Sequence, residues 1–141
     1  MTMTVTLNLT ETPTSDELAA IGDSLAAFNA ADAGEADRRP LVITLTDETG
    51  AFAGGLSGFT AWGWLYIQWL FVSEGLRGQG WAPRLLEAAE AEARTRGCHG
   101  AHIDTFSPIA LKTYQRAGYT IFGELHDFPK GRTRSFLQKQ L

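Results

Sequence analysis

The segment Leu70-Phe71-Val72-Ser73-Glu74-Gly75-Leu76-Arg77-Gly78-Gln79-Gly80-Trp81-Ala82 leaves an apolar stretch and enters an amphipathic one. The first amides of a helix lack intrahelical partners and point outward, with the positive end of the helix dipole behind them. Glycines let a backbone come close to an anion. Gly78 and Gly80 just before a helix start, with Arg77 at the rim, therefore form a candidate phosphate cradle. A tight strand-to-helix connection would use the same glycines, and spacing alone leaves both readings open. Two other phosphate motifs fail. A dinucleotide fingerprint starting at Gly78 needs a third glycine where Pro83 stands. A P-loop starting at Gly75 reaches Gly80 but continues with Trp81 instead of lysine.

Other reactive side chains are sparse. His99, His102 and His126 have no metal-ligand spacing with Cys98 or with one another, so no metal is expected. Cys98 reads as a small structural residue with no partner base. As the single cysteine it forms no intrachain disulfide, which fits a reducing compartment. Twelve basic and 16 acidic residues give a net charge of −4, which argues against nucleic acid as a partner. Met1–Thr10 lacks a basic start followed by an apolar run, and Trp62–Val72 is too short to cross a bilayer. A cytoplasmic protein without a membrane partner is expected.

These residues need elements to hold them. Residues 4–9 alternate Val5, Leu7 and Leu9 with polar neighbours, the period of a half-buried strand. Thr14 and Glu17 form a capping-box pattern before Leu18, Ile21, Leu25 and Phe28 at helical spacing, with Gly34 as the stop. Strands are expected at 41–46, 52–60 and 62–72, the last apolar throughout and so covered on both faces. Ala82, Leu85, Leu86, Ala89 and Ala93 make a helical stripe, with Glu87, Glu90 and Glu92 mostly off it. A strand at 101–106 follows. Ser107 and Pro108 read as the cap and first residue of a short helix to Ala117, and strands at 119–125 and 133–139 end the chain. With 141 residues, one domain over 1–141 is expected, α/β or α+β in class.

Arg77-Gly78-Gln79-Gly80-Trp81-Ala82 resembles the Arg/Gln-x-x-Gly-x-Gly/Ala signature of the GNAT superfamily of acyl-CoA N-acyltransferases. Ser107-Pro108-Ile109-Ala110, leading to Tyr114 and Gly118-Tyr119, resembles that family's second mark. The order of elements is similar across nearly the whole chain. The resemblance implies a mixed, mainly antiparallel seven-stranded sheet with helices on both faces and splayed fourth and fifth strands. It implies acetyl-CoA as co-substrate. Backbone groups of Phe71 and Val72 would pair with the pantetheine arm, amides of Arg77, Gly78, Gln79, Gly80, Trp81 and Ala82 would bind pyrophosphate, and Ser107 and Ala110 would line the arm. Tyr114 would protonate the leaving thiolate. Two departures stand out: Ser107 replaces the family's asparagine, and Pro83 removes one amide.

The implied reaction is N-acetyl transfer to a primary amine of a small molecule or peptide, by direct attack in a ternary complex. Such an amine, with a pKa of about 10.4, must lose a proton. Asp104, Glu124, Asp127 or a water chain are the candidate bases, and Gln68 stands where a strand glutamate would be attractive. The alternative is an acyl-CoA-binding sensor without turnover. Trp62, Trp64, Tyr66, Trp69 and Phe128 are an aromatic surplus suited to core or subunit contact. With the family's habit of pairing, that adds a homodimer to the expectations.

Overall fold

A computed structural model describes residues 3–141 in two compact units, Met1–Ala36 and Asp37–Leu141. In the N-terminal unit, α1 spans Ser15–Ala33. Its capping box is formed: the Thr14 hydroxyl accepts from the Glu17 amide at 3.1 Å, and the Glu17 carboxylate accepts from the Thr14 amide at 3.0 Å. The helix ends at Gly34, whose φ of 88° suits glycine. None of its residues is buried, and Leu18, Ile21, Leu25 and Phe28 form an exposed stripe. Residues 4–9 form no strand, contrary to their alternation, and Val5, Leu7 and Leu9 are exposed. Alternation marks a face to be buried, but a strand also needs a neighbour for its backbone groups, and none pairs with it here.

The C-terminal unit runs β1 (Arg39–Thr46), β2 (Phe52–Ala61), β3 (Trp64–Val72), α2 (Trp81–Thr95), β4 (Gly100–Thr105), α3 (Pro108–Arg116), β5 (Thr120–His126) and β6 (Thr133–Gln140). The sheet has six strands, not seven, in the order β1-β2-β3-β4-β6-β5. It is mixed: β3 and β4 pair in parallel, and the other neighbours are antiparallel. Leu41, Leu56, Leu65, Ile67, Ile103 and Leu137 meet Leu85, Leu86, Ala89 and Ala93 of α2 and Tyr114 of α3 in one core. Within this unit both helices contribute to the same core.

Strand β3 is not covered on both faces. Leu65 and Ile67 are buried, while Trp69 is 67% exposed. Its aromatic side packs on neighbouring strands, with Tyr66 stacked on His102 at 4.7 Å and edge-on to Phe59 at 5.6 Å. The register against β2 slips between Ile67 and Trp69, so the core side passes from Leu65 and Ile67 to Leu70 and Val72.

Two polar ties hold α2 to the sheet. The Arg96 guanidinium donates to the Pro40 carbonyl at 3.0 Å and the Thr60 hydroxyl at 3.1 Å. Glu90, expected off the buried stripe, is 2% exposed. Its carboxylate accepts from Lys139 Nζ at 2.7 Å and from the Tyr119 hydroxyl at 2.8 Å, and Lys139 also donates to the Ala117 carbonyl at 2.8 Å. These partners come from β6 and the end of α3, so helical spacing could not reveal them. Removing one member of a buried pair strands the other charge and costs about 3–5 kcal/mol. Lys139→Met is expected to lower unfolding free energy by about that amount in urea titration, with an unchanged m-value.

Candidate active site

The parallel ladder between β3 and β4 runs from Trp64↔Gly100 to Ile67↔Ile103 and stops. Past that point β3 stays with β2, through Leu70↔Leu56 and Val72↔Gly54. Strand β4 stays with β6, through Asp104↔Phe136 and Thr105↔Ser135. The two strands thus part, as the expected splay of strands four and five requires. A cleft of ≈ 1080 Å³ opens there. Its walls include the β3 end, the loop into α2, the β4 end and α3.

Local chemistry builds each wall. Arg77 follows a single 3-10 turn over Glu74–Leu76 and folds back, its Nε donating to the Val72 carbonyl at 2.9 Å. The Gln79 amide holds the loop by donating to the Gly75 carbonyl at 3.1 Å. Gly78 and Gly80 have φ of 78° and 82°, a left-handed backbone that costs other residues about 1–2 kcal/mol. A Cβ at either would meet nothing within 4 Å, so open space lies in front of both. Gly80 is the N-cap of α2 without a side-chain cap, and Arg84 N–H to Gly80 O, at 3.3 Å, is the first helical bond. The amides of Trp81 and Ala82 therefore have no intrahelical acceptor, and Pro83 offers none. This open, amide-rich helix start fits a pyrophosphate.

Across the cleft, the Ser107 hydroxyl accepts from the Ala110 amide at 3.2 Å and caps α3. Serine fills this cap position as well as asparagine would. Tyr114 is 5% exposed yet lines the cleft. Burial, and then the charge of Asp104, push its pKa up to about 12. Its hydroxyl has no hydrogen-bond partner among the described residues and keeps its proton well above neutral pH.

Phe71, Val72, Arg77, Gly78, Gly80, Trp81, Ala82, Ser107, Ala110 and Tyr114 all line this cleft, as do Gln68 and Asp104. Gln79 does not. Of the three candidate acids only Asp104 is present. Glu124 is exposed on β5, and Asp127 accepts from the Gly131 amide at 3.1 Å within its own loop. Asp104 accepts from Arg134 at 2.9 Å and from the Tyr66 hydroxyl at 3.3 Å. The Arg134 guanidinium lies over Phe128 at 4.1 Å and over Phe106 at 5.0 Å. Sequence reasoning missed Arg134 and Tyr66 as partners of Asp104. Their strands are neighbours of β4 only once the sheet order is known. Cys98 is buried, and burial pushes its thiol up. Burial also pushes His102 down. Among the described residues, no group of three or more His, Cys, Asp or Glu is placed to hold a metal ion.

Residues 7–119 match the Acetyltransferase (GNAT) family. An acetyltransferase of Agrobacterium fabrum is 52% identical over 121 residues, 86% of this chain and 88% of that one. The blasticidin-S acetyltransferase of Streptomyces morookaense is 40% identical over 109 residues, 74% of this chain and 80% of that one. A crystal structure of an acetyltransferase from Agrobacterium tumefaciens, 47% identical, superposes with a TM-score of 0.93 over 97% of this chain and 100% of that one. A sheet parted beside a bare helix start suits an extended ligand with an anionic group at one end. The chain belongs to the GNAT acetyltransferase family, and it is an acetyl-CoA-dependent acetyltransferase.

All three tyrosines are held above their ordinary range. Burial is the first cause in each, with Asp104 acting on Tyr66 and Tyr114, and Glu90 on Tyr119. A raised folded pKa means that stability from these groups is complete below about pH 10, the unfolded value, and fades as pH rises. Titration followed at 295 nm is expected to show little phenolate at about pH 10 while the protein is folded, with the three phenolates appearing as folding is lost. A half-developed signal at that pH, with native circular dichroism retained, contradicts it.

Proposed function

We propose that this protein transfers an acetyl group from acetyl-CoA to a primary amine of a small molecule, by direct attack within a ternary complex. The observation that carries the reading is one continuous cleft. It joins the open amides at the start of α2, the free edge of β3 beyond Ile67, and the Tyr114 hydroxyl. A relative named for blasticidin-S, 40% identical, favours a small-molecule acceptor over a peptide.

Acetyl-CoA supplies the activated thioester. Amides of Gly78, Gly80, Trp81 and Ala82, with Arg77, hold its pyrophosphate. The backbone of Phe71 and Val72 offers the pantetheine an edge to pair with, beside Ser107 and Ala110. One Val72 group is already engaged by Arg77, which leaves the unpaired stretch closer to Ile67 to carry more of the pairing. Tyr114 donates its proton to the thiolate as the carbon–sulfur bond breaks, and its raised pKa keeps that proton in place. Asp104, held by Arg134 and Tyr66, accepts the amine's proton directly or through water, since it is the acid that shares the cleft with Tyr114. A sensor without turnover would not need a protonated hydroxyl and a carboxylate in the same cleft, and the named acetyltransferase relatives also favour catalysis.

Free-thiol release from acetyl-CoA across an amine panel that includes blasticidin-S tests the reading. Release with at least one amine is expected, and binding without release on any amine points to the sensor. Tyr114→Phe is expected to lower kcat about 10²–10⁴-fold while acetyl-CoA affinity by calorimetry stays within a few-fold. Unchanged turnover sinks the assignment of Tyr114.

A further inference from the structure

Proton transfer from Tyr114 needs its hydroxyl held in one place, because a misplacement of about 1 Å can cost roughly 100-fold in rate. Yet that hydroxyl has no hydrogen-bond partner among the described residues. Its position comes from what holds the ring and from what holds the helix that carries it. The ring has Tyr119 beside it, with centroids 6.5 Å apart and planes tilted by 60°. The helix ends just beyond, where the amides of Ala117 and Tyr119 both donate to the Tyr114 carbonyl, at 3.1 and 3.0 Å.

Both supports lead to one carboxylate. Tyr119 belongs to the core, and its hydroxyl donates to Glu90 of α2 at 2.8 Å. Glu90 also accepts from Lys139 Nζ at 2.7 Å, and Lys139 donates to the Ala117 carbonyl at 2.8 Å. The Lys139 stem lies against the turn that follows α3: a Cβ on Gly118 would stand 3.3 Å from Lys139 Cε. The flank of the Tyr114 ring and the end of its helix are thus tied to a single residue of α2.

Stability alone does not call for this arrangement, since a buried charge pair is often replaced by apolar residues of similar volume at no loss. An apolar cluster lacks direction, which charged hydrogen bonds supply. Glu90 and Lys139 line the cleft, and Tyr119 does not. The Tyr119 hydroxyl therefore acts on the reaction only through its neighbours, and Tyr114 is the cleft residue against whose ring it packs.

We propose that Tyr119, anchored by Glu90 and Lys139, is a positioning residue for Tyr114, a role that rests on Tyr114 being the acid of the reaction. Tyr119→Phe removes one oxygen and keeps the ring. With acetyl-CoA and the fastest amine of the panel, it is expected to lower kcat about tenfold, with both KM values within about twofold. In a Tyr114→Phe background the same change is expected to have no further effect, because no proton donor is left to position. Replacing the whole trio, by Glu90→Leu with Lys139→Met and Tyr119→Phe, is expected to keep the urea midpoint near that of the wild type while kcat stays about tenfold low.

An unchanged kcat in Tyr119→Phe overturns the proposal. So does a loss that multiplies with that of Tyr114→Phe, or a kcat that returns together with stability in the triple variant. Tyr114→Phe by itself scores the acid. If it costs nothing, that assignment fails and the positioning role with it. If it costs turnover while Tyr119→Phe does not, only the positioning role fails.

Discussion

Everything in the catalytic unit depends on the place where β3 and β4 cease to pair. Each strand keeps its outer neighbour beyond Ile67 and Ile103: β3 remains registered with β2, and β4 with β6. Had both strands remained paired, their backbone groups would have satisfied one another and closed the sheet. Parting them leaves a row of donors and acceptors along β3 that needs an external partner. In sheets with parallel strands, the carboxyl ends are where following helices begin, so helix starts and strand ends converge. Here that rule brings the bare amides of α2 and the buried tyrosine of α3 to the two banks of a single gap.

A gap through a sheet is held open by what flanks it. Helix α2 is fixed at its far end by Arg96, which bonds β1 and β2 groups, and at its middle by Glu90, which bonds β6 and the residue after α3. The two ties attach the same helix to opposite sides of the parted strands. Charged groups suit this task because their directional bonds set a distance, whereas apolar contacts alone would tolerate sliding and closure. On the other bank, Arg134 and Tyr66 both reach Asp104, one from β6 and one from β3. The bond from Tyr66 crosses between the strands near their point of separation, so the same carboxylate marks the cleft's floor and raises the pKa of Tyr114.

The sequence was most legible where one residue type has one physical use. Gly34, Gly78 and Gly80 sit at positive φ where punctuation was expected, and Thr14, Glu17, Ser107 and Pro108 begin the helices that their spacing announced. It was least legible where a residue's role depends on distant strands. Glu90 reads as a surface glutamate until Lys139 and Tyr119 arrive from the far end of the chain. Asp104 could not be ranked above Glu124 or Asp127, because only sheet order separates a cleft carboxylate from a loop one. Residues 4–9 show the converse error: the period was read correctly as a property of the side chains, but pairing is a property of the neighbour.

The acceptor end of the cleft is where these two kinds of information meet. Trp69 and Phe71 line the cleft, and they also belong to the exposed apolar side of the sheet. One aromatic pair therefore serves two surfaces. The volume beside Tyr114 therefore depends on side chains from β3, β4 and α3 at once. The acetyl-CoA end has no such dependence, since its cradle is made from consecutive backbone amides of a single loop. This difference explains why the donor could be read from six residues while the acceptor could not. The donor site is local in the chain, whereas the acceptor end is bounded by residues that only the sheet order brings together.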